Sequence, residues 1–502
     1  MIWMDKDLPL AGLVVKKQNA LVWSILIILI LRLLFIGLMG PMPQDAYYYF
    51  YSEHPALSYY DHPPAIAYQL KLFTFFLGKK VFALKLADSV VTFFSVFVFY
   101  KLSKCFLSQH RAQKAFMLFF STFMVTILSL VSTPDTPLIL FWSLSLLALY
   151  NAVFLKKNIY WVWSGILMGL AFDSKYTAIL LPFGIILFLL LSSSYRKILL
   201  SLWPWLSLLL FVITSLPVII WNAENGFASF KFQSAGRMQS MGDGIHINIG
   251  NFFGVIGHQS ALLIPILFLS FFWFLYKAIK KYHFNPFRIE ASKLFLLCFF
   301  IPAFAGFLGI SFITWVKLNW MMPAYISGII WISIYFNAKW IRIQLIVSMV
   351  LHLLVAVEIL FYPVPVRSDD TWMGWDQLSQ KVAVLKTSYP NAFIFSADDY
   401  KTSAELNFYL NGEMIYGKNV IGQPALQFDF IGTDLNKLKG RDALYIDSNP
   451  GFNNEQKENK IPSSLSAYFD SVIELEPILI KKDSRTVRKF LVYQCENYHP
   501  PK

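Results

Sequence analysis

The chain has 502 residues, of which 56% are hydrophobic and only 15% charged. Soluble domains carry about 25% charged residues, so the composition excludes an ordinary water-soluble protein and points to a membrane. The net charge of +13 would suggest nucleic acid in a soluble protein, but here the positive residues sort by side of a bilayer, and no nucleic-acid partner is inferred.

A bilayer span needs about 20 mostly apolar residues. Such runs occur at 20–40, 115–132, 137–155, 199–220, 261–276, 294–313 and 343–362, with shorter or more polar ones at 81–100, 160–172, 177–192 and 322–338. Together they predict about eleven transmembrane helices. The first run exceeds the roughly 7–15-residue core of a cleaved signal peptide and is followed by Pro41-Met42-Pro43, so a retained helix is expected. Lys and Arg gather in alternate loops, among them Lys16-Lys17, Lys101 to Lys114, Lys156-Lys157, Arg196-Lys197, Lys277 to Arg288 and Lys339 to Arg342. The positive-inside rule makes these loops and the N-terminus cytoplasmic. Eleven spans then leave the tail outside.

The expected organisation is a transmembrane domain over 1–362, with outer loops 41–80 and 221–252, and a soluble domain over 363–502. In the tail, Ala392–Ser396, Ala443–Asp447, Val472–Ile480 and Lys489–Gln494 read as strands, and Trp375–Ser388 and Lys401–Leu410 as helices. That alternation predicts a small α/β domain. Cys105, Cys298 and Cys495 fall in different compartments, which predicts neither a disulfide nor a cysteine metal site.

Polar residues collect at the outer helix ends. The first outer loop holds Asp45, Tyr47, Tyr48 and Tyr49, then Tyr59-Tyr60-Asp61-His62-Pro63-Pro64. A carboxylate at a membrane surface can act as a base or orient an acceptor, and tyrosines suit both sugars and an interfacial aromatic belt. Glu53, His54, Asp61 and His62 lie close in sequence but match no zinc spacing, so a divalent metal has only weak support. Asp135 in Thr133-Pro134-Asp135 suits a helix N-cap as well as a site. Lys85 near the start of a span, with Asp88 three residues on, is either an i,i+3 pair or a cation for a lipid phosphate. Lys175, Arg237, Lys317 and Asn319 fall on the same face, where converging cations would stabilise a phosphate leaving group.

These segments resemble the membrane glycosyltransferases that use polyprenyl-phosphate sugars, of GT-C type (families 39 and 83). The likeness is to the branch related to protein O-mannosyltransferases and to the transferase that adds aminoarabinose to lipid A. That branch reads D-E-A-Y-Y-W, then Y-x-D-H-P-P, where this chain has Asp45-Ala46-Tyr47-Tyr48-Tyr49-Phe50 and Tyr59-Tyr60-Asp61-His62-Pro63-Pro64. Thr133-Pro134-Asp135, Ser174-Lys175-Tyr176-Thr177, Trp221-Asn222-Ala223-Glu224-Asn225-Gly226, Val316-Lys317-Leu318-Asn319-Trp320 and Ala404–Leu410 resemble its T-P-D, S-K-Y-T, W-N-x-x-N-G, V-K-x-N-W and A-x-x-x-F-Y-L. In this register the family's acidic pair is reduced to Asp45, with Ala46 in the place of the glutamate.

The resemblance implies a polytopic helical protein of the bacterial inner membrane, with the soluble domain on the periplasmic side. It implies inverting transfer of a sugar from undecaprenyl phosphate to lipid A, another glycan or a protein. No cofactor is required by it. Asp45 becomes the central residue, a general base for a hydroxyl acceptor and a positioning group for a phosphate. Lys85, Lys175 and Arg237 would bind the donor phosphate, and Tyr48, Tyr49, Asp61, His62, Asp135, Lys317 and Asn319 would line the cavity. A transporter of lipid-linked sugars is the competing class, but it would place polar groups at mid-membrane on paired repeats, and no repeat is visible.

Overall fold

The computed structural model describes residues 32–236, 246–410 and 412–501. Its first part is almost entirely helical. Helices α1 (Pro43–Glu53) and α2 (Ala65–Leu77) precede the long α3 (Val81–Phe106), and then come α4 (Gln109–Phe120), α5 (Phe123–Leu130), α6 (Asp135–Val153), α7 (Ile159–Phe172) and α8 (Leu180–Leu191). The series continues through α9 (Trp203–Thr214), α10 (Leu216–Glu224), α11 (Ile249–Leu263), α12 (Pro265–Tyr282), α13 (Ala291–Ile310), α14 (Met322–Ser333) and α15 (Ala338–Phe361). Among the described residues, α3, α6, α13 and α15 are long and apolar enough to cross a membrane, and three bent pairs bring that number to seven. Every apolar run expected from the sequence falls on a helix, except 20–40, which lies outside the described residues through residue 31.

The bends were not expected, and each has a local cause. Between α4 and α5 the axis turns by 59°, where the Ser121 and Thr122 hydroxyls donate to the carbonyls of Leu118 and Phe119 at 2.8 and 2.7 Å. Such local bonds compete with the helical ladder. Pro217 and Pro265, which lack the N–H a continuing helix needs, open α10 and α12 after turns of 47° and 116°. The loop expected at 41–80 is also mostly helix. Pro63-Pro64 ends the extended segment, and α2 starts one residue later.

The helices pack through small residues where they approach most closely. On α7 a Cβ added to Gly165 would meet the Ser207 carbonyl oxygen at 2.4 Å and the Leu210 Cβ at 2.8 Å. Ser164 and Ser207 share a hydrogen bond of 2.8 Å at the same crossing of α7 and α9.

The tail forms the expected α/β domain. Helices α16 (Trp375–Ser388) and α17 (Lys401–Tyr409) accompany β1 (Phe393–Phe395), β2 (Ile415–Tyr416), β3 (Ala443–Ser448), β4 (Phe469–Glu474), β5 (Ile478–Lys482) and β6 (Arg485–Tyr498). The sheet order is β2-β1-β3-β6-β4, with β5 also on β6. The β1 pairings with β2 and β3 are parallel, Phe393 lying opposite Ala443, and the pairings of β6 are antiparallel, Ala443 lying opposite Cys495. The strand expected over Val472–Ile480 is two strands, because Pro477 cannot donate to a ladder. One face of α17 lies against α1: Ala404 and Phe408 share a buried cluster with Ala46, Tyr49, Phe50 and Phe428. This contact brings the soluble domain onto the polar ends of the helices.

Gly165→Ala should lower stability in detergent by about 1–3 kcal/mol, the usual cost of overpacking, read by thermal unfolding. Gly257→Ala, where the added carbon meets nothing within 4 Å, should leave the midpoint unchanged or raise it slightly.

Candidate active site

Asp45 is the third residue of α1 and is fully buried. One carboxylate oxygen accepts from the Lys85 ammonium and from the Met42 N–H at 2.7 Å, and the other accepts from the Ser132 N–H at 2.7 Å. Lys85 is equally buried on α3 and also donates to the Leu130 carbonyl. The i,i+3 pairing considered for Lys85 and Asp88 does not form. Asp88 instead accepts from Ser132 Oγ at 2.6 Å and Gln69 Nε2 at 2.8 Å.

Matched on Ala46-Tyr47-Tyr48, the pattern D-E-A-Y-Y places Gln44 at the first acid and Asp45 at the second. The sequence reading had put Ala46 in the place of the second acid. Gln44 is half-buried and donates from Nε2 to Asp370 at 3.0 Å, across the seam to the soluble domain.

A second buried pair stands beside the first. Asp135 opens α6 but makes no capping bond. It takes Lys175 Nζ at 2.8 and 2.9 Å on its two oxygens, and Asn319 Nδ2 at 2.6 Å. The T-P-D, S-K-Y-T and V-K-x-N-W segments, far apart in sequence, thus meet at one carboxylate.

Asp61 forms the third node. Its carboxylate accepts from the Tyr47 hydroxyl at 3.1 Å and from the Tyr51 hydroxyl. Burial raises its pKa, and the Tyr51 and Tyr47 hydrogen bonds and the charge of Lys317 oppose that rise. Lys317 is exposed. Tyr48 lies between nodes, within electrostatic reach of both Asp61 and Asp135, with its ring 6.0 Å from that of His62.

The soluble domain roofs this cluster. Tyr400 stacks on Tyr47 at 4.2 Å, and Phe428 on Phe50 at 4.8 Å. The Gln427 side chain accepts from the Tyr60 N–H at 2.7 Å, and its backbone N–H donates to the Tyr47 hydroxyl at 3.2 Å. Gln233 donates to the Asp61 carbonyl at 2.6 Å, and Tyr176 bonds to Ser229 at 2.6 Å.

The site residues expected from sequence therefore divide. Tyr48, Asp61, His62, Asp135, Lys175, Lys317 and Asn319 come together, and Asp45 and Lys85 form a closed pair linked to them through Ser132. Tyr49 points elsewhere. It lies in a cleft of about 310 Å³ with Glu53, Lys79 and Phe408, and its hydroxyl donates to Glu53 at 2.8 Å. Arg237 lies outside the described residues. Glu53 and His54 are exposed whereas Asp61 is buried, and among the described residues no three His, Cys, Asp or Glu side chains group around one point. Tyr47, Tyr51, Ser132, Gln427 and Tyr400 were not singled out. Tyr47 and Tyr51, four apart and therefore on one face of α1, carried the only readable signal.

The family model described as dolichyl-phosphate-mannose-protein mannosyltransferase matches residues 61–221. The lipid A galacturonosyltransferase RgtD of Rhizobium johnstonii is 22% identical over 404 residues, 77% of this chain and 81% of that protein. The crystal structure of ArnT from Cupriavidus metallidurans in the apo state superposes with a TM-score of 0.59 at 12% identity, over 95% of this chain and 98% of that one. The same protein bound to undecaprenyl phosphate gives 0.58 at 13%, over 94% and 98%. The chain is a glycosyltransferase of GT-C fold, similar to a lipid A galacturonosyltransferase.

Breaking a buried ion pair from either side leaves an uncompensated charge, at a cost of about 3–5 kcal/mol. Asp45→Ala and Lys85→Ala should each lower stability by that order, and the double variant by clearly less than their sum. Thermal unfolding of the four proteins checks this, and additive losses would contradict the pairing.

Proposed function

We propose that this glycosyltransferase moves a sugar from undecaprenyl phosphate to an anionic acceptor, a phosphate of lipid A or of another surface glycan. The reaction takes place at the periplasmic face of the bacterial inner membrane. The observation that carries the reading is the occupied state of the site carboxylates. Asp45 is held by Lys85 and two backbone N–H groups and Asp135 by Lys175 and Asn319, while Asp61 takes two tyrosine hydroxyls on one of its oxygens. A general base needs a lone pair within reach of the proton it takes. A phosphate acceptor is already ionised and needs no base.

In this reading an acceptor phosphate oxygen attacks the anomeric carbon from the face opposite the leaving group. The bond from that carbon to the lipid phosphate breaks, its electron pair leaves on the phosphate, and the anomeric centre inverts. Lys317, exposed at the rim beside Asp61, is the cation best placed to meet a phosphate. Lys175 and Lys85 supply positive charge from the floor, and Arg237 keeps that role on sequence grounds. Asp45 positions Lys85 and α1 and does not deprotonate. Tyr48, His62 and Asn319 line the space between the nodes.

The donor is supported by the ArnT relative bound to undecaprenyl phosphate, and the acceptor by the relative named for lipid A. Eleven spans with a cytoplasmic N-terminus and a periplasmic soluble domain accord with the distribution of Lys and Arg and with the apolar helices described above. The matching family model is named for protein mannosyltransferases, which makes a protein hydroxyl the second reading. That acceptor requires one of these carboxylates to take its proton.

Mass spectrometry of lipid A from cells with and without the gene tests the proposal. The expected result is loss of a single addition the size of a hexuronic acid, hexosamine or pentosamine. Unchanged lipid A would exclude lipid A as the acceptor and leave the phosphate of another surface glycan. Lys317→Met should fold normally and lower kcat/KM by about 100-fold, equivalent to about 2.7 kcal/mol of lost transition-state stabilisation.

A further inference from the structure

Glu405 lies on α17 of the soluble domain, at the seam with α1. It is 1% exposed, and neither carboxyl oxygen has a hydrogen-bond partner. The charged groups facing it are Asp45 of α1, Lys85 of α3, Arg488 of β6 and Asp376 of α16, with Tyr409 on its own helix.

Both cations are committed elsewhere. Lys85 donates to Asp45 and to the Leu130 carbonyl. Arg488 donates to the Met373 carbonyl at 3.0 Å, pairs with Asp369 and lies over the Trp375 ring at 3.8 Å. The remaining charged neighbours, Asp45 and Asp376, are negative. A buried carboxylate with no donor is the costly form of the group, so such a site favours the neutral acid. Burial accordingly raises its pKa well above the usual carboxylate range, and the charge of Asp45 adds to the rise.

An anion arriving at Lys85 would bring a further negative charge to this buried seam. We infer that Glu405 is the proton-binding group of the donor site: its neutral form admits the lipid phosphate to Lys85, so phosphate binding and protonation of Glu405 are linked. The inference rests on the reading of Lys85 as a phosphate-binding cation. It gives the soluble domain a part in donor binding through a positioning residue that need not touch the substrate.

The sign follows from linkage. A group protonated more readily in the bound state weakens binding as pH rises through its titration. The test measures the affinity of the full chain in detergent for undecaprenyl phosphate, from mildly acidic to mildly basic pH, in wild type, Glu405→Gln and Glu405→Met. The ligand's own phosphate titrates alike in all three and cancels in the ratio. The ratio of wild-type to variant Kd should lie near one at the acid end and rise about tenfold at the basic end, the scale of coupling to a single buried charge. A ratio constant across pH, including a variant weaker throughout, overturns the proposal. Lys85→Met separates the two layers. If it binds as well as wild type, the reading of Lys85 fails; if it binds weakly and the ratio is flat, only the role of Glu405 fails.

Discussion

The buried ion pair between Asp45 and Lys85 is the constraint on which the site depends. Both charges are fully buried, so each needs the other, and two backbone N–H groups also donate to Asp45. One carboxylate thereby ties together the start of α1, the N-terminal part of α3, the end of α5 and the chain at Ser132. Two residues beyond Ser132 is Pro134, which sets the start of α6 and so the position of Asp135. The second pair, with Lys175 and Asn319, is placed by the first.

The soluble domain completes what the helices begin. Its contacts are mostly aromatic and amide groups, Tyr400 on Tyr47, Phe428 on Phe50 and Gln427 bridging Tyr60 and Tyr47. These make a rigid apolar lid around a polar interior, which excludes water and strengthens each electrostatic interaction beneath it. A transferase that must protect a lipid-linked sugar from hydrolysis benefits from such a lid.

Much of the fold was legible in the sequence because local signals suffice for it. Trp375–Ser388 follows Gly374 in the left-handed region, at φ +81°, and an apolar run of about 20 residues is long enough to cross a bilayer, where the backbone must satisfy itself as a helix. The breaks at Ser121-Thr122 and Ile264 were not legible, since an apolar run reads the same straight or bent. The site was legible as a list of motifs and not as a geometry. Lys85 lies 40 residues from Asp45 and three from Asp88, and spacing alone favours the nearer acid, whereas the packing of α1 against α3 gives Lys85 the farther one and leaves Asp88 to Ser132 and Gln69. Tyr48 and Tyr49 are adjacent, yet the helical period turns them about 100° apart on α1, one to the site and one to the cleft with Lys79.

The proposal of an acceptor that is already charged rests on the paired Asp45 and Asp135, the neutral Gln44 and the exposed Lys317. The direct test compares sugar transfer by the purified protein to lipid A and to the same lipid A stripped of its phosphates. Transfer to the intact lipid alone is the result this account predicts. Equal transfer to both would place the reaction on a hydroxyl, and one of the three carboxylates would then have to open and serve as the base.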